Sequence, residues 1–438
     1  MPKRIKFQSP VGMSDILPED QKYFKKIYET AEKIADFYGF LKIDTPIVED
    51  EEIFDKGTGA STDIVKKEMF SFRTKGGDVL ALRPEGTPGI ARAYIEHGMH
   101  AWPQPIKLWY FGPFFRYEHP QAGRYRQFWQ FGFEVLGEAG PVIDVQIIQI
   151  FYSILKELKL KDLSVEINSI GDNQCRPYYK KLLANYLKSR ESSLCSECRR
   201  RIKENVLRVL DCKEEKCQPI KTEAPQILEH LCDECKAHFK TVLEFLDEIE
   251  IPYQLNPYLV RGLDYYTKTV FEIASSFEKI EETKDGKKEV EKKRLELGGG
   301  GRYDKLLKTL GGRDTPACGG AVGVERVIMF MKKQGIKIEE TKEVSVFLSQ
   351  IGDMAKRKSL KLLEQFRKAK ISIGESFGRD SLRAQMNRAD KLGARFTLIL
   401  GQKEALDETV IIRDMQNGKQ TTVKLEKAVQ AVREMLKK

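Results

Sequence analysis

Two short runs constrain this chain more than any other feature: residues 113–118 (PFFRYE) and 126–136 (RQFWQFGFEVL), joined by HPQAGRY. Successive side chains of a strand point to opposite faces. The second run therefore places Phe128, Gln130, Gly132 and Glu134 on one face and Trp129, Phe131, Phe133 and Val135 on the other. In the first run Phe114, Arg116 and Glu118 lie together, opposite Phe115 and Tyr117. The pattern is an antiparallel hairpin with one apolar face for a core and one polar face. A solvated outer face accounts for the charges. It accounts poorly for Gly132 and Phe128, because a glycine in a strand lets another group approach the backbone. The alternation favours a ligand-facing surface.

Around the hairpin the chain divides by pattern. Tyr23, Phe24, Ile27, Ala31, Ile34 and Phe37 recur at helical spacing over residues 18–38, and Gly39 stops the run. Residues 40–137 alternate short strands with Gly/Pro turns, as in a mixed or antiparallel sheet. A helix follows over 143–158, and residues 172–250 read as mostly helical. Strand patterning returns at 258–273 and 295–301. The charge-rich run 276–293 between them, centred on Asp285 and Gly286, reads as an exposed hairpin or mobile loop. Residues 1–330 read as one α+β domain with a helical insertion at about 172–250, residues 331–343 as a linker, and residues 344–438 as a small α/β domain.

Charge separates these parts. Residues 341–438 hold 21 Lys/Arg against 12 Asp/Glu, while the rest of the chain is close to balance. A basic end domain on a neutral body suits a polyanionic partner or a solubilising surface. No apolar stretch approaches the roughly 20 residues of a membrane-spanning helix. The N-terminus has a basic start without an apolar h-region, so no secretory signal is read and the cytoplasm is expected.

Seven of the eight cysteines fall between residues 175 and 235. Cys195-x-x-Cys198 and Cys232-x-x-Cys235 look like two halves of one tetrahedral zinc site, with Cys212 and Cys217 between them. The 33-residue gap is long for a zinc ribbon. Structural zinc and helix-packed free thiols both remain open.

FRYE, a loop, then RQFWQFGFE resembles motif 2 of the class II aminoacyl-tRNA synthetases. The resemblance implies an ATP site. Arg116 would hold the α-phosphate, Glu118 the adenine amino group, and Phe128 would stack on the base. Gln121 and Arg124 of the loop would meet the acceptor end of tRNA. GGGGRYDKL (298–306) and PACGGAVGVERVIMFM (316–331) resemble motif 3 with its preceding strand, and Arg326 would lie against adenine and the terminal phosphate. GFLKIDTPIVED (39–50) resembles motif 1, which implies a homodimer, and residues 10–20 resemble the family's N-terminal stretch.

LVRGLDYYTKTVFEI (259–273) resembles the element that marks the histidine enzymes within the class. By that resemblance Arg261 is a second cation at the α-phosphate, facing Arg116 across the reacting carboxylate. Tyr265 and Tyr266 would line the amino-acid pocket. LALRPEGTPGIARAYIEHG (80–98) resembles the segment that receives the α-amino group, through Glu85, Gly86 and Thr87 with Gln130. Glu134 would meet the imidazole, with Tyr266 nearby. The end domain resembles the family's anticodon-binding domain, and residues 172–250 fall where the family inserts a helical domain over the active site.

The fold thereby implied is a class II synthetase-like α+β catalytic domain with an antiparallel sheet, a helical insertion and a C-terminal α/β anticodon-binding domain. The implied activity is ATP-dependent joining of histidine to tRNA(His), with Mg2+ accompanying ATP and no catalytic zinc. Rival readings are a synthetase-like regulatory subunit of ATP phosphoribosyltransferase, a class II ligase for threonine or glycine, and a general ATP- and RNA-binding protein. Arg261, Tyr265, Tyr266 and the end domain weigh against the first.

Overall fold

The computed structural model describes residues 7–282, 288–338, 344–378 and 381–437; within residues 278–293 only the strand backbones are described. The turn assigned to Asp285 and Gly286 thus lies outside the described residues. The chain forms two compact units, Met1–Ile338 and Glu339–Lys438.

The first unit is built on a mixed sheet with the order β1-β5-β6-β11-β10-β9-β7-β8. Its strands are β1 (Leu41–Lys42), β5 (Ile106–Phe115), β6 (Gln127–Leu136), β7 (Ser164–Ser169), β8 (Tyr253–Leu255), β9 (Thr267–Glu282), β10 (Lys288–Arg302) and β11 (Ala317–Gly323). The pairings from β5 through to β7 are antiparallel, and the edge pairs β1/β5 and β7/β8 are parallel. A small sheet of β2 (Val48–Asp50), β3 (Phe70–Arg73) and β4 (Val79–Leu82) lies beside it in sequence.

The period of two holds through the hairpin β5–β6. Trp109, Phe131, Phe133 and Val135 join one core with the helices Pro18–Tyr38, Pro141–Glu157, Asp233–Glu248 and Val324–Lys333. Phe131 and Phe133 are fully buried, and each contributes about 2–3 kcal/mol of apolar burial. Ile106, Leu108, Tyr110, Phe114 and Leu136 face the other way, into a second core shared with the helical insert. A Cβ on Gly132 would overlap the Tyr110 ring. The group that approaches this glycine is therefore a side chain of the protein itself.

The helix Pro18–Tyr38 starts with Pro18 in its first turn and Glu19 and Asp20 behind it, which suits the free N–H groups there. It ends at Gly39, whose φ of 74° permits the left-handed cap. Tyr23, Phe24, Ile27, Ala31 and Ile34 are buried as the spacing requires. Phe37 is not: it is 82% exposed, because it sits in the last turn beyond the core, where it meets Tyr38 edge-on.

Three expectations need correction. Residues 259–266 are not strand; β9 begins at Thr267. Tertiary bonds replace a ladder there, since Asn168 Nδ2 donates to the carbonyls of Pro257 and Leu259, and Asp264 N donates to Thr58 O. The span read as linker from residue 331 starts inside the helix Val324–Lys333, where Met331 is fully buried; residues 339–343 lie outside the described residues. The two Cys-x-x-Cys pairs do not meet. Cys195 and Cys198 gather with Cys212 and Cys217, whereas Cys232 and Cys235 gather with Cys175 and Asp172.

The insert follows β7 with the helices Arg176–Lys188, Ser196–Glu204 and Gln218–Thr222 and short 3-10 turns. The next helix, Asp233–Glu248, returns Phe239, Val242 and Leu246 to the main core. Among the described residues, no helix is long and apolar enough to cross a membrane.

The second unit has a five-stranded sheet: β12 (Val346–Gln350), β13 (Ile373–Glu375), β14 (Phe396–Leu400), β15 (Thr409–Asp414) and β16 (Gln420–Lys424), ordered β13-β12-β14-β15-β16. Helices Asp353–Lys368, Leu382–Lys391 and Ala428–Leu436 accompany it, and Leu362, Phe366 and Val432 complete the core over Val346, Leu348, Leu398 and Ile412.

Candidate active site

The polar face of β6 opens into a cleft of about 830 Å³. Of the residues named from the sequence, Glu85, Gly86, Thr87, Arg116, Glu118, Arg124, Phe128, Gln130, Arg261, Tyr265, Tyr266 and Arg326 line it. Gln121 is an exposed loop residue that exchanges backbone hydrogen bonds with Arg124. Glu134 does not line the cleft; it lies in the floor, fully buried.

At one end, two buried carboxylates are held by hydroxyl groups. Glu85, just before the helix Thr87–Glu96, accepts from Thr58 Oγ1 (2.5 Å) and Tyr265 OH (2.7 Å). Burial raises its pKa despite these bonds. Glu134 accepts from Thr87 Oγ1 (2.7 Å) and Tyr303 OH (2.5 Å). Burial pushes Glu134 up to about 8, against the lowering effect of both donors. Burial also holds Tyr110, Tyr265 and Tyr303 above the ordinary phenol value, so they remain donors at neutral pH. Tyr266 packs its ring on Tyr265 at 4.6 Å. The phenol on Glu134 is thus Tyr303, where the sequence led to Tyr266 as the neighbour.

Tyr303 is placed by the residue before it. Arg302 is fully buried and ion-pairs with buried Asp144 at 2.5 Å. Its remaining N–H groups donate to Glu138 O and Gly140 O (both 2.9 Å) and to Asp304 Oδ1 (3.2 Å). Buried charges persist when paired and hydrogen-bonded in this way. They pin the end of β10, and Tyr303 N donates to Ala317 O of β11 (2.8 Å). The paired glycines at β10/β11 leave room below: a Cβ on Gly319 would overlap the Glu134 carboxylate.

At the other end stand three arginines. Arg116 follows β5, donates from Nε to Pro84 O (2.9 Å), and lies 5.3 Å over the Phe128 ring. Arg261, from the loop 256–266, donates from Nη1 to Glu272 Oε1 (2.7 Å) and Glu296 Oε1 (2.9 Å). Its Nε is buried without a hydrogen-bond partner among the described residues. Arg326, in the first turn of the helix Val324–Lys333, donates to Gly123 O (3.0 Å) and Glu296 O (2.9 Å). Burial and the charge of Glu296 raise Glu272 to about 7. Burial would raise Glu296 too, but Arg261 and Arg326 outweigh it and hold it low. Glu325 anchors the same helix to the hairpin, both its oxygens accepting from Trp129 N at 3.0 Å.

Tyr303, Thr58, Tyr110, Glu272, Glu296 and Glu325 were thus missed. Tyr303 had a signal, standing two residues after the glycine run in GGGGRYDKL, and so had Glu272, a lone carboxylate in the apolar run TVFEI. Thr58 had none.

This arrangement can seat a small zwitterion between buried acids and arginines, with a polyphosphate at the arginine end. Comparison with known proteins agrees with that chemistry. The family model "Histidyl-tRNA synthetase" matches residues 12–327, and the model "Anticodon binding domain" matches residues 343–435. A histidine–tRNA ligase of Dehalococcoides mccartyi is 43% identical over 430 residues, covering 98% of this chain and 100% of that one. The crystal structure of apo S. aureus histidyl-tRNA synthetase superposes with a TM-score of 0.78 at 33% identity, covering 98% of this chain and 100% of that one. A Bacillus halodurans structure titled as an ATP phosphoribosyltransferase regulatory subunit/histidyl-tRNA synthetase shares the fold at 20% identity and a TM-score of 0.61, covering 91% of this chain and 98% of that one. By its full-length likeness and the match of both domains, this chain belongs to the histidyl-tRNA synthetase family.

Proposed function

We propose that this chain is a histidine–tRNA ligase that forms histidyl-adenylate from histidine and ATP and transfers histidine to the 3′ end of tRNA(His). One observation carries the reading: a single cleft joins buried, hydroxyl-held Glu85 to the three arginines Arg116, Arg261 and Arg326, with Glu134 beneath it on the cleft-lining Thr87.

Histidine seats with its ammonium at Glu85, Thr87 and Gln130 and its imidazole toward Glu134. Neutral imidazole offers one donor and one acceptor, and imidazolium two donors. Protonated Glu134 can donate and ionised Glu134 can accept, so the pocket satisfies both forms. Analogues that leave Glu134 unpaired are rejected by roughly 10⁴ or more. Tyr265 and Tyr266 close the pocket.

The substrate carboxylate is the nucleophile, so no side chain is needed in that role. Its oxygen attacks the α-phosphorus, the bond to the bridging oxygen breaks, and pyrophosphate leaves. Arg116 and Arg261 neutralise the growing charge at the α-phosphoryl oxygens, and Arg326 the terminal phosphate. Each well-placed donor contributes roughly 3 kcal/mol at the transition state. Phe128 stacks on adenine, and Glu118 takes its amino group. ATP enters as its Mg2+ salt, and the carboxylates of Glu272 and Glu296 would hold that ion through hard oxygen ligands, where it would neutralise phosphate charge. The loop with Gln121 and Arg124 guides the acceptor end of tRNA, and the basic end domain takes the anticodon stem and loop.

A homodimer through residues 39–50 accounts for Phe37, Leu41, Ile47 and Val48 standing exposed along one stretch. The cytoplasm suits eight free cysteines.

ATP–pyrophosphate exchange tested with each amino acid in turn decides the reading. Exchange with histidine alone is expected. Exchange with another amino acid and not histidine overturns the specificity. No exchange with any favours the regulatory-subunit reading.

A further inference from the structure

The four sulfurs of Cys195, Cys198, Cys212 and Cys217 lie within 4.8 Å of one another, all buried. Cys195 and Cys212 are 3.9 Å apart. Zinc with four thiolates at about 2.3 Å sets its sulfurs about 3.8 Å apart. All eight cysteines are free, and a disulfide would bring two sulfurs to about 2.05 Å. Two backbone amides donate to these sulfurs: Cys198 N to Cys195 Sγ and Cys195 N to Cys217 Sγ, both at 3.3 Å. Such bonds favour the thiolate, which is the ligand form.

A second set has the same compactness. Asp172 Oδ1 and the sulfurs of Cys175, Cys232 and Cys235 also lie within 4.8 Å of one another. It joins the segment after β7 to the start of the helix Asp233–Glu248. The two sets are nested. Asp172 and Cys175 meet Cys232 and Cys235 at the base of the insert, and the other four cysteines meet inside it.

The chain between the base ligands has reason to need such ties. Among the described residues 189–231 there is no strand, and the longest helix is Ser196–Glu204 with nine residues. A segment of roughly 40 residues buries too little apolar area to fold on its own elements. Sulfur-rich donor sets select zinc over magnesium or calcium.

We propose that the insert holds two structural zinc ions, one on Cys195, Cys198, Cys212 and Cys217, the other on Asp172, Cys175, Cys232 and Cys235. The inner ion fixes the wall of the cleft, which Cys195 and Cys212 border. From the same segment Arg201 and Arg208 pair with Asp63 at 3.5 Å, and Asn205 Nδ2 donates to Asp264 Oδ1 at 2.6 Å. Asp264 lies in the loop that carries Arg261 and Tyr265. Zinc in the inner site therefore holds the insert against that loop.

Metal analysis of the full-length protein, purified without chelator, should find two equivalents of zinc per chain. The double variants Cys212→Ser/Cys217→Ser and Cys175→Ser/Cys235→Ser should each retain one. Titrating the metal-freed wild-type protein with Co2+ needs no variant. It should give sulfur-to-cobalt bands that saturate at two equivalents, with amide exchange over residues 195–217 slowing as they grow. A wild-type zinc content of one equivalent or less overturns the two-site assignment, and a content below about a tenth of an equivalent removes zinc altogether. A single equivalent lost by both variants means one shared site, and it too overturns the proposal.

Discussion

The two ends of the cleft hold their charges in opposite ways. At the amino-acid end, Glu85 and Glu134 are each fixed by two hydroxyl donors, and no cation among the described residues bonds to either. At the phosphate end, Arg261 is ion-paired with two carboxylates, Glu272 and Glu296, that a polyphosphate would have to replace as its counterions. Burial keeps the pKa of each acid high against the pull of its neutral donors, and leaves its proton available for exchange with a ligand. Carboxylates around a cation keep it charged and placed before the substrate arrives. One end is built to share a proton, the other to exchange one set of anions for another.

The sharpest way to break this contrast is at Arg261. Arg261→Ala should cut histidine-dependent exchange by about 10² or more and change the histidine KM little, because the lost interaction forms only as charge grows on the phosphoryl oxygens. Unchanged turnover would remove Arg261 from the phosphate end.

Tyr303→Phe tests the other end. It removes one of the two donors on Glu134 and should raise the histidine KM by about tenfold, with the ATP KM unchanged. Equal effects on both substrates would mean that the two ends are not separate.

The smallest effect is one of pH. Glu134 lies near 8 in the folded protein, above its ordinary carboxylate range. A raised carboxyl adds stability that is fully present below the unfolded value and is lost as pH rises through the folded one. From about pH 6 to about pH 9 the ligand-free protein should lose more stability to urea than Glu134→Gln does. Parallel curves for the two proteins would show that Glu134 does not carry the proton. Glu272, near 7, gives a slope of the same sign in both and does not affect the difference.

Local rules made parts of this molecule legible. The period of two assigned Phe131, Phe133 and Val135 to a core and Glu134 to the opposite face, and both are so placed. The period of 3.6 and Gly39 bounded the first helix. Both are properties of a few consecutive residues. The same rules failed where distant bonds override them. Residues 259–266 look like strand, yet Asn168 and Thr58 hold them as loop. Gly132 looked like room for a ligand, yet it is room for Tyr110. The cysteine spacing suggested one site across 33 residues, yet each pair found nearer partners, and spacing alone cannot choose among pairings.

By itself the sequence determined most of the elements, the polar face of β6 and, through its motifs, twelve of the residues that line the cleft. Only the tertiary structure decided which hydroxyl meets which acid. Tyr265 reaches Glu85 across 180 residues, and Tyr303 reaches Glu134 across 169. Such bonds depend on strand order and on the glycines that let β10 and β11 close over Glu134. A sequence states a residue's neighbours along the chain, whereas the proton on Glu134 depends on its neighbours in space.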